Sequence, residues 1–177
     1  MTLQRSRNKI LRRWRHAAGF TLIEAMMSVL IVGGILVAAL QVAGTSRVIQ
    51  YSAAQRSTAQ FLAETMMEEV LAKAYRHPGI VATAIGCDAG ESPTFKVTFN
   101  DVDDYHNWSE SPPQTSDGTP MSGFAGWERT VAVHWVSPLE MDKPLAVDTG
   151  VKQIIVTVRY QGRQLAKCVA VRTDAAN

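Results

Sequence analysis

The sequence predicts an α+β fold: one long N-terminal α-helix packed on a roughly four-stranded antiparallel β-sheet. Three observations predict it. Residues Ala25 to Ser46, 22 in all, carry no charge. Residues Arg47 to Arg76 continue without proline or glycine and repeat apolar residues at helical spacing. The remaining chain holds runs of alternating, β-branched residues separated by turn signals.

The first element is a basic leader, residues 1–19. It contains Arg5, Arg7, Lys9, Arg12, Arg13 and Arg15 and no acid. The formal charge of +2 hides this asymmetry, since the other 12 basic and 16 acidic residues give the rest of the chain −4. A basic run ahead of an apolar stretch reads as an orientation signal that keeps the N-terminus in the cytoplasm. No later basic cluster supports nucleic-acid binding, and none is expected.

The second element, residues 20–46, is a hydrophobic transmembrane or assembly helix. Its charge-free part spans about 33 Å at the helical rise, enough for a bilayer core. One acid, Glu24, stands at its mouth. A charge within such a segment costs roughly 2.5–3.5 kcal/mol on insertion scales, so a plain anchor has little reason to carry it. A conventional secretory signal has a shorter apolar core with small residues at its end. Here Ala38-Ala39 and Ala43-Gly44 lie deep in or after the run, and the other place for a cut is before it, after Gly19. Gly33-Gly34 interrupts the helix; it serves either a local bend or close helix packing.

The third element, residues 47–76, reads as an amphipathic helix. Ala59, Leu62, Met66, Val70 and Ala74 form an apolar stripe, with Val48, Tyr51 and Phe61 near it. Arg56, Gln60, Glu64, Glu68 and Lys73 line the opposite side. His77-Pro78-Gly79 is the expected stop. The whole helix is then about 50 residues, roughly 75 Å long.

Residues 77–177 form the β-rich body. The expected strands are Thr94–Asn100, with Phe95, Val97 and Phe99 together; Glu128–Val136, with Val131, Val133 and Trp135 together; Gln153–Tyr160, with Ile154, Val156 and Val158 together; and Gln164–Arg172. Gln161-Gly162 signals a tight hairpin between the last two. Between the first two lies a long loop, 101–126. Asp101, Asp103 and Asp104 put three carboxylates within four residues of it. They read either as a calcium site with oxygen ligands or as a solvated acidic turn with Tyr105 and Trp108 packing back on the body. Tyr105 and Trp108 also suit a contact patch for another protein.

The two cysteines, Cys87 and Cys168, lack metal-ligand spacing. They are either free thiols or a disulfide formed in an oxidising compartment. His16, His77, His106 and His134 are scattered, and only His106, beside Asp103 and Asp104, suggests acid–base chemistry. No nucleophile elbow, phosphate loop or metalloprotease motif occurs, so an enzyme is not expected.

Gly19-Phe20-Thr21-Leu22-Ile23-Glu24, between a basic leader and an apolar helix, closely resembles the N-terminal motif of type IV prepilins. That family includes pilins and the pseudopilins of type II secretion. The resemblance covers about 25–30 residues. It implies cleavage between Gly19 and Phe20 by a prepilin peptidase, N-methylation of Phe20, and a role for Glu24 in filament assembly. It also implies the partners: other pilins or pseudopilins, an inner-membrane assembly platform and the lipid bilayer. The chain would sit once across a bacterial inner membrane, its body periplasmic or in a surface filament, as a minor pilin or pseudopilin. The rival expectation is a single-pass anchored extracytoplasmic binding protein that does not polymerise.

Overall fold

The computed structural model describes residues 19–77, 79 and 84–174. The basic leader up to residue 18, and Pro78 of the expected helix stop, lie outside the described residues. The chain forms two units that meet in sequence at Val48 and Ile49. One helix, α1 (Leu22–Leu71), runs through the sequence of both.

In the first unit every described residue of α1 is exposed. An 18-residue window has mean hydropathy 2.3, so α1 is long and apolar enough to cross a membrane. Two of its hydroxyls bond back to the helix. Ser28 Oγ donates to Glu24 O at 2.7 Å and Thr45 Oγ1 to Gln41 O at 2.9 Å. Such back-bonding lets polar side chains sit in an apolar helix.

In the second unit α1 packs on a five-stranded antiparallel sheet. The strands are β1 (Ser109–Glu110), β2 (Trp127–Ser137), β3 (Glu140–Leu145), β4 (Val151–Tyr160) and β5 (Arg163–Thr173). Their order is β1-β2-β4-β5, and β3 pairs the far end of β2. The helix contributes Ala59, Leu62, Ala63, Met66, Met67 and Val70 to the core. The sheet contributes Val131 and Val133 from β2 and Ile154, Val156 and Val158 from β4. On β5 the smaller row, Ala166, Cys168 and Ala170, faces this core, while Val169 and Val171 stay exposed. The β4–β5 hairpin turns at Gln161 and Gly162, both with positive φ (49° and 79°). That is the mirror-image turn whose twist matches the strands.

Of the expected stripe, Ala59, Leu62, Met66 and Val70 are fully buried, while Ala74 is exposed. Val48, Tyr51 and Phe61, placed beside it by periodicity, are exposed as well. The helix also stops at Leu71, five residues before Arg76. Beyond it Ala74 forms a bridge with Asp101, and its carbonyl accepts the Val102 amide at 3.0 Å. Lys73 Nζ donates to Phe99 O at 2.6 Å. Pairing with residues 99–102 therefore ends the helix before the proline does.

The expected strand Thr94–Asn100 is not a strand. It contains a 3-10 turn, Lys96–Thr98. Phe95 and Val97 point outward while Phe99 and Lys96 are buried. Apolar alternation failed here because Lys96 has ionic partners inside, described below. Two strands were missing from the expected four. β1 is only two residues long, and β3 (EMDKPL) is exposed throughout and contains Pro144, as suits an edge.

Candidate functional site

The N-terminal junction is built by local rules. Gly19, Phe20 and Thr21 precede the helix and are exposed. Thr21 caps α1: its Oγ1 accepts the Glu24 amide at 3.3 Å. Thr21-Leu22-Ile23-Glu24 is thus a Thr-x-x-Glu capping sequence, a signal that sequence reasoning passed over. Glu24 lies in the first helical turn, where the helix dipole favours an anion. Its side chain is exposed, as is Phe20. The helix therefore starts just after the Gly19–Phe20 bond, leaving that bond accessible. Apart from the helix's own backbone and the adjoining residues, no atom lies within 4 Å of where a Cβ would stand on Gly33 or Gly34.

The acidic segment is not a solvated turn. Asp101, Asp103 and Asp104 are all buried, the last two in a second 3-10 turn, Asp103–Tyr105. Their carboxylates diverge to separate tasks. Asp101 Oδ1 accepts the Asp103 amide at 2.7 Å. Asp104 Oδ2 accepts the amides of Asn100 and Asp101 at 2.8 and 3.1 Å. Asp103 Oδ2 takes the ammonium of Lys152 at 2.7 Å. Lys152 also donates to Tyr75 O and lies 3.9 Å from the Tyr75 ring centroid. Burial raises the pKa of all three acids, that of Asp103 to about 6 despite Lys152. Tyr105 and Trp108 pack edge-on against Phe99, with ring centroids 5.0 and 5.2 Å away. Both are buried, which removes them as a contact patch for another protein.

A second ionic cluster lies between helix and sheet. Glu110 of β1 accepts from Arg129 of β2, from Lys96 Nζ at 3.4 Å and from Trp108 Nε1 at 3.2 Å. Lys96 also reaches Glu69 of α1 at 3.3 Å. Arg129 Nη2 donates to Gln114 O at 2.5 Å. Arg129 and Lys152 each sit in phase with an inward apolar row, Val131-Val133-Trp135 and Ile154-Val156-Val158. A cation in phase with a buried row was a readable sign of a buried charge. Its partners, on the loop, were not readable.

The remaining candidates separate. Cys87 and Cys168 are free thiols, so the disulfide left open by the sequence is not formed. Cys87 Sγ points to Asp104 O at 3.8 Å, whereas Cys168 stands opposite Val156 in the sheet. His106 Nδ1 accepts the Val133 amide at 3.2 Å and its ring lies against His134. It is thereby engaged by the sheet.

No protein-family model, curated protein or solved structure matches the chain. What the N-terminal region can do follows from its own chemistry. It presents an accessible peptide bond, an apolar helix with no cover of its own, and one carboxylate at that helix's start.

Proposed function

We propose that this chain is a structural subunit of a type IV pilus or a type II secretion pseudopilus, cut between Gly19 and Phe20 and polymerised through its N-terminal helix. The observation that carries the proposal is the placement of Glu24 in the first turn of an exposed apolar helix, directly behind the Gly19–Phe20 bond. Cleavage there frees an α-amine at Phe20, cationic near neutral pH, and methylation preserves that charge. Glu24 of a neighbouring copy is its natural counter-ion within a bundle of such helices. An ion pair of this kind adds little net stability, because both groups lose hydration. Breaking it leaves a buried charge unpaired and costs about 3–5 kcal/mol. It therefore selects the register between subunits, while the apolar surface from Ala25 to Ser46 supplies the driving force for burial.

The supporting features are the prepilin-like motif, the capped helix start at Thr21 and a body that uses the distal part of the same helix as its core. The test is the N-terminus of the mature membrane form, read by mass spectrometry. A chain beginning at N-methylated Phe20 is expected. An intact leader, or a cut near Ala39 or Gly44, overturns the proposal and leaves an anchored protein that does not polymerise.

A further inference from the structure

We infer that Cys87, Glu91 and Asp104 bind a divalent transition cation of the zinc class, through one thiolate and two carboxylates. One ligand atom from each of the three lies within 4.8 Å of the other two. They come from two segments. Cys87 and Glu91 precede the first 3-10 turn, and Asp104 belongs to the second.

The second observation is an oxygen left without a partner. Asp104 is 2% exposed, and its Oδ1 has no hydrogen-bond partner. A buried carboxylate oxygen without a donor is costly and uncommon. Its other oxygen is fixed by the amides of Asn100 and Asp101. Glu91 is fixed too: the Asp88 amide donates to Oε2 at 2.9 Å, and Asn100 Nδ2 donates to Oε1. One oxygen of each carboxyl group lies within 4.8 Å of the other. Two acids held face to face need either a shared proton or a cation between them.

The donor set selects the cation. A thiolate beside carboxylates suits a borderline metal such as zinc and disfavours calcium or magnesium, which prefer oxygen alone. Three protein ligands leave a fourth tetrahedral position for water. Cys87 and Glu91 are half-buried, so an ion has a path in. This set differs from the triplet Asp101, Asp103 and Asp104, which the sequence left open between a calcium site and a solvated turn and in which Asp103 is held by Lys152. Zinc takes the thiolate, so metal entry at neutral pH releases the thiol proton to water.

The experiment uses the full chain in detergent micelles, reduced and free of chelator. Zinc chloride is titrated calorimetrically at neutral pH in two buffers of different ionisation enthalpy, and cobalt is titrated in parallel by absorption. Expected are one equivalent of zinc, proton release, and a cobalt–thiolate charge-transfer band. Cys87→Ser should abolish the band and weaken zinc binding at least about tenfold, while Cys168→Ser changes neither. Glu91→Gln, at the accessible rim, should weaken zinc comparably without loss of fold, so the test does not depend on how Cys87→Ser folds. No saturable zinc binding overturns the site and leaves a shared-proton pair. A band that survives Cys87→Ser, or unchanged affinity in Glu91→Gln, overturns it as well.

Discussion

Replacing Glu110 by alanine should be among the most damaging single changes in the body. Its side chain is wholly buried and accepts from three donors, on Arg129, Lys96 and Trp108. Lys96 and Arg129 carry two positive charges into the interior, and Glu69 and Glu110 carry two negative ones. Removing Glu110 leaves one excess buried cation. Breaking a buried pair on one side costs about 3–5 kcal/mol. The lower part of that range applies here, because Glu69 still faces Lys96 and Gln114 O still faces Arg129. A loss of about 3 kcal/mol lowers the melting temperature of a domain of this size by roughly 10–15 °C. Thermal unfolding of the full chain in detergent, followed by tryptophan fluorescence, reads this directly, since Trp108 donates to Glu110. The combined replacement Lys96→Met, Glu110→Leu and Arg129→Met removes all but one of the charges and should recover much of the loss. If Glu110→Ala melts within about 3 °C of the parent, under roughly 1 kcal/mol, the network is a surface-like pairing and the reasoning is wrong.

Four further outcomes are expected. Leu62→Ala, at a wholly buried position, should cost about 2–5 kcal/mol by chemical denaturation; a cost below 1 kcal/mol would place Leu62 outside the core. Asp103 and Asp104 titrate at about 6 when folded, above the ordinary 3.8. Their contribution to stability is present below about pH 4 and lost as pH rises through about 6, so Asp104→Asn should flatten the fall in melting temperature across that window; an unchanged slope would show that Asp104 does not titrate there. Gly19→Trp should block processing, seen as a full-length precursor on a gel, and normal processing would count against the cut at Phe20. Glu24→Ala should insert into the membrane normally yet enter filaments poorly, and equal incorporation in sheared fractions would show the carboxylate idle.

Much of the architecture was legible because it follows from local periodicity. The four-residue spacing of Leu62, Met66 and Val70 gave the buried helix face, and alternation gave β2 and β4 to within two residues at each end. Gln161-Gly162 gave the hairpin because only a few residue pairs tolerate its positive φ. Where strand alternation misled, an ion had taken an inward position. Lys96 broke the Thr94–Asn100 pattern, burying a cation and exposing Phe95 and Val97 while Phe99 stayed inside. Strand β3 carried no alternation because neither of its faces is buried.

The sequence by itself determined the N-terminal element. The apolar run, the Thr21 cap and the acid at Glu24 are all properties of neighbouring residues, decided within a few helical turns. Only the tertiary structure decided the fate of the charges in the body. Asp103 meets Lys152 across 49 positions, and Glu110 meets Arg129 across 19. The same is true of Asp104, which the chain brings to Cys87 and Glu91 rather than leaving it with its acidic neighbours. Burial and pairing depend on distances that no local pattern encodes, and burial is what turns these acids from solvated charges into partners that need a cation or a proton.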